Sequence, residues 1–266
     1  MMTWKAALPM YDLSPGLRRR HDAFLEALLL QADVTAAVEF AHEPGPLARF
    51  WRRPDMLLSQ TCGYPYMNDL RECVALLATP CFDVPGCMNG DYSSVLVTRT
   101  GSGIRTLADA RGRVAAANER HSNSGMNALR HAVAPLARNG RFFGDVLWTG
   151  SHAASLRAVR SGTADVAAID CVSYAYLRQE DSVSVAGVTI LGFTASSPGL
   201  PLVAGAAVPA TLLRRLREAL LAPAEPLKAA MAALRIRRFA ALDAREYERI
   251  GELERVAISL GYPELG

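Results

Sequence analysis

The sequence predicts an α/β protein built on largely parallel sheets, and three observations predict it. Short apolar runs, such as Val95-Leu96-Val97 and Val166-Ala167-Ala168-Ile169, alternate with stretches whose apolar residues recur at helical spacing. The two patterns interleave along the chain instead of separating into blocks, as expected for parallel strands joined by crossover helices. Polar clusters directly follow several of the strands, where sheets of this kind bind their ligands.

Trp4 to Leu8 reads as the first strand, ended by Pro9. Ser14-Pro15 starts a helix running to about Gln31, with Ser as N-cap and Pro at the first helical position. Val34 to Phe40 is a second strand, Pro44 to Trp51 a short helix, Asp55 to Ser59 a third strand and Glu72 to Ala78 a fourth. Pro80 to Asp91 reads as a turn-rich loop. Tyr92 to Arg99 is a strongly apolar strand, broken by Gly101-Ser102-Gly103, and Thr106 to Asp109 begins a helical turn. Arg113 to Ala117 is a strand. A helix with Met126, Leu129, Val133 and Leu136 on one face follows it. Gly144 to Thr149 (strand), Ser151 to Arg160 (helix), Ala164 to Ile169 (strand) and a helix to about Arg178 continue the alternation. Val185 to Phe193 is apolar and extended, and Leu202 to Ala206 is a further strand. Three helices close the chain, over Pro209 to Leu221, Glu225 to Leu234 and Ala244 to Leu260.

Composition narrows the function. The 266 residues are 50% hydrophobic and 21% charged, enough for a large core or two smaller ones. The net charge of +3 is spread over short arginine clusters without interleaved aromatic residues, so nucleic-acid binding is not expected. No run of eighteen apolar residues predicts a membrane span. Met1 to Pro9 has neither a charged n-region nor a long apolar h-region, so no secretory signal is read there. The five cysteines include Cys81 and Cys87, which flank a Pro-Gly turn and would close a small loop in an oxidising compartment. Their spacing is not that of a zinc site, and neither metal nor cofactor is expected.

The strand-end rule selects Tyr11, Gln60 and Thr61, the Ser122-Asn123-Ser124 cluster, His152 and Asp170. Ser122 to Ser124 open a helix, where unpaired backbone N–H groups and the positive end of the helix dipole attract an anion. Ser122 or Ser124 also reads as a plain N-cap. Asp170 reads equally as a ligand acceptor or as a capping carboxylate, and Tyr11 as a cleft wall or as packing beneath its loop. Tyr64 and Tyr66, flanking Pro65, are turn packing or cleft wall, with packing favoured for Tyr66.

Three segments carry a family resemblance. They are Asn118-Glu119-Arg120-His121-Ser122-Asn123-Ser124-Gly125, Thr149-Gly150-Ser151-His152 with the helix behind it, and Ser161-Gly162-Thr163-Ala164-Asp165. Tyr92 to Val97, Ser102 to Gly112 and Ser197-Pro198-Gly199-Leu200-Pro201 fit the same pattern. In order and spacing the chain resembles the phosphate/phosphonate-type solute-binding proteins of ABC importers, a branch of the type II periplasmic binding proteins, most clearly over about residues 55–206.

The resemblance implies a two-lobe fold, each lobe a mainly parallel sheet flanked by helices, with two hinge crossings. Lobe one would comprise residues 1–94 and 189–266, lobe two residues 95–188, with the ligand in the cleft between them. It further implies that Ser122, Asn123 and Ser124 meet a small oxyanion, that Tyr92 donates its hydroxyl and that His152 donates a ring N–H. On the other lobe Tyr11, Gln60 and Thr61 would complete the site. The chain departs from the family at Asn123, where threonine is frequent, and in its missing signal sequence.

The expected function is therefore a non-enzymatic solute-binding protein for phosphate, phosphite or a phosphonate-like ion. It would be a monomer, partnered by an ABC permease and not inserted in a membrane. The resemblance places it in the periplasm; a full-length sequence without a signal would place it in the cytoplasm. The alternatives are an enzyme of this fold acting on a small phosphorylated or pyrimidine cofactor precursor, and a cytoplasmic ligand sensor. No paired carboxylates and no nucleophile–base pattern support the enzyme.

Overall fold

A computed structural model describes residues 3–266. Met1 and Met2, the start of the segment read for a targeting signal, lie outside the described residues. The strands, in chain order, are β1 (Trp4–Ala7), β2 (Val38–Phe40), β3 (Met56–Gln60), β4 (Val74–Phe82), β5 (Cys87–Met88), β6 (Asp91–Tyr92), β7 (Ser94–Arg99), β8 (Val114–Ala117), β9 (Asp145–Trp148), β10 (Val166–Asp170), β11 (Val188–Phe193), β12 (Ser197–Pro198), β13 (Leu202–Gly205) and β14 (Ile236–Ala240). The α-helices are α1 (Pro15–Gln31), α2 (Leu47–Phe50), α3 (Gly63–Pro65), α4 (Ala128–Val133), α5 (His152–Ser161), α6 (Cys171–Glu180), α7 (Ala210–Leu221), α8 (Glu225–Ala233) and α9 (Glu248–Ser259).

The chain divides into two compact units. The first takes in the chain up to Asp83, then Met88–Gly90 and Pro198–Tyr247. The second holds Val84–Cys87, Asp91–Ser197 and Glu248–Gly266. These boundaries differ from the 1–94/189–266 and 95–188 division expected from sequence, chiefly because the C-terminal segment belongs to the second unit. Ala257 of α9 and Tyr262 beyond it are fully buried in the second unit's core, with Leu96, Ala115, Leu129, Val133, Phe142 and Val166.

The first unit is a six-stranded sheet in the order β14-β4-β13-β3-β1-β2. β1 pairs in parallel with β2 and β3, while β13 runs antiparallel to β3 and β4, and β14 antiparallel to β4. Helix α1 begins as its sequence predicts: the Ser14 hydroxyl accepts from the Leu17 N–H at 3.0 Å, with Pro15 next. The helix ends in a turn in which the Val34 N–H reaches back to the Leu29 carbonyl. That turn consumes the start of the expected Val34–Phe40 strand and leaves only Val38–Phe40.

Two differences concern β4 and β14. β4 runs through Pro80, where a loop was expected. Its pairing with β13 stops at Ala78, and from Thr79 to Phe82 it pairs with β14 alone. On that stretch the proline's missing N–H interrupts no second ladder. β14 was not foreseen. Its Arg237-Arg238 pair breaks period-two alternation, and a register shift between Ile236 and Arg238 leaves both arginines exposed.

The second unit is a five-stranded sheet in the order β11-β7-β10-β8-β9. β8, β9 and β10 are parallel, and β7 runs antiparallel to β10 and β11. The carboxyl ends of β8, β9 and β10 therefore share one edge. The residues after them, Asn118, Thr149 to His152 and Asp170, gather there. The expected helix after β8 opens with a wider π-helical turn, Asn123–Asn127, and continues directly into α4. Among the described residues no helix is long and apolar enough to cross a membrane.

Candidate functional site

The edge of the second unit's sheet brings together Tyr92, Ser122, Asn123, Ser124 and His152. Ser122 caps the turn that follows β8, its hydroxyl accepting from the Gly125 N–H at 3.0 Å. Ser124 turns the other way: its Oγ lies 2.9 Å from Nε2 of His152, the first residue of α5. The Ser124 carbonyl is held by the Ser94 hydroxyl at 2.9 Å, and Ser94 pairs with Asp170 across β7 and β10.

Asn123 is almost fully buried and wholly engaged. Its Nδ2 donates to the Tyr92 hydroxyl (3.2 Å) and to Ser197 Oγ (2.8 Å), and its Oδ1 accepts from Asn127 Nδ2 (3.0 Å). Asn127 also donates to the Ile250 carbonyl of α9, and its Oδ1 accepts from Arg130 at 2.8 Å. Arg130, buried, pairs with Glu254 at 3.0 Å and with the Pro263 carbonyl. A buried polar chain thus runs from Tyr92 and Ser197 through two asparagines to the C-terminal helix.

Two buried polar atoms at this edge have no hydrogen-bond partner among the described residues: Nδ1 of His152 and Oδ1 of Asn118. Both residues lie against Gly125. A Cβ there would fall 1.9 Å from Asn118 Oδ1 and 3.2 Å from His152 Cε1. Burial holds the His152 imidazole neutral at neutral pH, its pKa pushed down from 6.5 to about 4. The groups presented here are hydroxyl, amide and neutral imidazole, because Arg130 is already engaged with Glu254, the Asn127 side-chain oxygen and the Pro263 carbonyl.

Asp170 adopts the capping alternative. Its Oδ1 accepts from the Val172 and Ser173 N–H groups at 2.8 and 2.9 Å, closing the start of α6. In the first unit Gln60 and Thr61 are buried at the end of β3. Gln60 Nε2 donates to the Leu200 carbonyl at 3.2 Å and Thr61 Oγ1 to the Cys62 carbonyl at 3.2 Å. Tyr11 is buried edge-on against Phe82 at 5.6 Å, as the packing alternative has it, and Tyr66 packs edge-on against Tyr247 at 5.1 Å. The residues the sequence did not single out are Asn118, Ser94, Asn127 and Ser197. Asn118 immediately follows β8, so the strand-end rule could have found it. Among the described residues no group of three or more histidine, cysteine or acidic side chains is placed to hold a metal ion.

Two α/β units, each with its strands' carboxyl ends carrying polar side chains, define a type II periplasmic-binding-protein fold. The match is specific: residues 12–247 fit the family model for the phosphonate periplasmic substrate-binding protein of ABC transporters, and the chain belongs to that family. No curated protein matches the sequence. Among solved structures, a binding-protein component of an ABC phosphonate transporter from Pseudomonas aeruginosa superposes with a TM-score of 0.79 at 19% identity, over 97% of this chain and 87% of that one. A Prochlorococcus marinus protein, PhnD1, in complex with methylphosphonate superposes with a TM-score of 0.78 at 16% identity, over 96% and 97%. A Xanthomonas citri protein bound to ATP gives a TM-score of 0.71 at 17% identity, over 98% of each chain.

Proposed function

We propose that this solute-binding protein captures a small oxyanion of the phosphate, phosphite or phosphonate kind and delivers it to an ABC permease. The observation that carries the reading is the pair of unpartnered buried atoms, His152 Nδ1 and Asn118 Oδ1, beside Ser124 at the start of the Asn123–Asn127 turn. A buried polar atom left without a partner costs about 1–3 kcal/mol, and a bound ligand that completes its bonding recovers that cost. The neutral ring has one proton for two nitrogens. When Ser124 donates to Nε2, that proton sits on Nδ1 and serves an anionic oxygen. Asn118 Oδ1 accepts from a protonated oxygen of the same ion, which distinguishes a hydrogen-bearing phosphate or phosphonate from fully ionised sulfate.

In this reading Ser122 and Asn123 shape the turn, Ser124 and His152 touch the ion, and Tyr92 borders it. Tyr11, Gln60, Thr61 and Asp170 act as framework. The ligands bound in two of the similar structures, methylphosphonate and ATP, set the range of sizes to try.

The test is a thermal-shift and calorimetric titration with phosphate, phosphite, methylphosphonate, sulfate and ATP. A ligand at one hundred times its dissociation constant stabilises by about 2.7 kcal/mol. Phosphate, phosphite or methylphosphonate should raise the unfolding temperature of the native chain, and Ser124→Ala should lose at least ten-fold in affinity. No shift with any of the five would overturn the reading.

A further inference from the structure

We propose that Cys87 and Cys171 form a reversible disulfide, a modification site lying wholly within the second unit. Their Sγ atoms stand 3.4 Å apart. The sequence spacing drew attention instead to Cys81 and Cys87. Cys81, however, is buried in β4 of the first unit, its sulfur directed at the Thr79 carbonyl.

The approach of the two cysteines is built into the backbone. Val84 to Cys87 form a turn closed by the Cys87 N–H donating to the Val84 carbonyl, with Pro85 and then Gly86 at its centre. Gly86 has φ +94°, the conformation that the third residue of a type II turn requires. One residue then fixes both cysteine-bearing segments. Ser93 donates its N–H and its hydroxyl to the Gly86 carbonyl, both at 2.9 Å, while its own carbonyl accepts from the Cys171 N–H at 3.1 Å. Gly86 also lies directly over Cys171: a Cβ at Gly86 would come 3.0 Å from the Cys171 Cβ. The sulfurs therefore meet because Gly86 and Ser93 hold their main chains together. Bond formation then requires the two sulfurs to close from 3.4 Å to about 2.05 Å.

Cys87 is half-buried and Cys171 fully buried, which sets the order of events. The oxidant is a small-molecule or protein disulfide, the class that drives thiol oxidation outside the cytoplasm. Cys87 loses its proton and attacks the donor disulfide, releasing one donor thiol and leaving a mixed disulfide. Cys171 then loses its proton and attacks the Cys87 sulfur, releasing the second donor thiol. Two S–H bonds and one donor S–S bond are exchanged for one protein S–S bond and two donor S–H bonds. The link closes a loop spanning 84 positions and ties β5 to the first residue of α6, next to the Asp170 cap. This assignment is independent of the oxyanion reading.

The test uses the full chain, purified reduced and then incubated with oxidised glutathione. Free thiols are counted after denaturation, and unreduced protein is digested with trypsin plus a protease that cuts before aspartate, so that Asp83 separates Cys81 from Cys87. The expected result is loss of two of the five thiols and a linked Cys87–Cys171 peptide. The unfolding temperature should rise on the order of 10 °C, reversibly with dithiothreitol. Cys87→Ser, at a half-buried position, should keep all four remaining thiols under the same treatment, and Cys171→Ala should do likewise. Five thiols surviving in the folded native chain, a linked peptide joining other cysteines, or loss of two thiols in Cys87→Ser would each overturn the proposal.

Discussion

The side-chain amide of Asn123 donates to the phenolic oxygen of Tyr92 at 3.2 Å, while the same nitrogen reaches Ser197 at 2.8 Å. Asn123 is thus turned into the protein and braces the turn that carries Ser124. Replacing it with alanine strips one partner from each of Tyr92, Ser197 and Asn127. Asn123→Ala should lower the unfolding free energy by about 2–4 kcal/mol in urea denaturation, since each buried group left unpaired costs about 1–3 kcal/mol and some will find water. Asn123→Thr keeps a hydroxyl and should cost about half as much. Its more telling effect would be on selectivity, because Tyr92 is released from the amide. The ratio of phosphate to methylphosphonate affinity should change in this variant.

His152 makes stability depend on pH. Its folded pKa of about 4 lies below the ordinary 6.5, so between those values the unfolded chain binds a proton that the folded chain refuses. Stability therefore rises with pH across this window. The contribution is complete above about pH 6.5 and is lost as pH falls toward 4. His21, buried in the first unit with its pKa likewise pushed down to about 4, acts in the same direction. Each shift corresponds to about 3 kcal/mol. Urea unfolding at pH 7, 5.5 and 4 should show a progressive loss, and His152→Gln should flatten the profile by roughly half. An unchanged profile in His152→Gln would show that the ring titrates normally.

Much of the fold was legible because its signals are local. Ser14-Pro15 dictates a helix start, and the alternation of Ala/Val-rich runs with helical spacing identifies the sheet of the second unit. What was missed depends on partners distant in sequence. β14 is a strand because β4 offers it an edge, despite its paired arginines, and Pro80 sits within β4 because β13 has already ended. The C-terminal helix joins the second unit through Arg130, Asn127 and the burial of Tyr262, contacts that no pattern within α9 announces. At the candidate site, the meeting of Ser124 with His152 follows from their positions after parallel strands of one sheet. For Asp170 and Tyr11 the structure adds contacts with the α6 N–H groups and the Phe82 ring.

Gly125 is required for the approach of Asn118. Its missing Cβ leaves room for an amide oxygen that would otherwise lie 1.9 Å away, and that oxygen belongs to a side chain able to swing aside. Gly125→Ala should therefore fold, losing about 1–2 kcal/mol, yet displace Asn118 from the edge of the site and weaken oxyanion binding at least ten-fold by calorimetry. Gly205→Ala provides the contrast. Its Cβ would lie 2.3 Å from the Met56 backbone carbonyl in the neighbouring strand, which cannot swing away. That variant should lose about 3 kcal/mol or more of stability. If Gly125→Ala binds like the native chain, Asn118 is not part of the site.

Arg130 joins the site-forming turn to the end of the chain. Its guanidinium is almost fully buried, and it bonds Glu254 on α9, Asn127 Oδ1 and the Pro263 carbonyl. Removing one member of a buried charge pair leaves the other uncompensated, a loss of about 3–5 kcal/mol in dry surroundings. Glu254 retains some contact with water, which places Arg130→Ala near the lower bound, about 3 kcal/mol. Arg130→Met should recover part of this, because its chain refills the space without demanding a partner. The damage should also be directional. With Asn127 freed on one side and α9 on the other, amide hydrogen exchange in Arg130→Ala should accelerate most in residues 248–266 and in the Asn123–Asn127 turn. The six-stranded sheet of the first unit should keep its native protection. Uniform acceleration across both units would mean that Arg130 supports global stability alone and does not join α9 to the site.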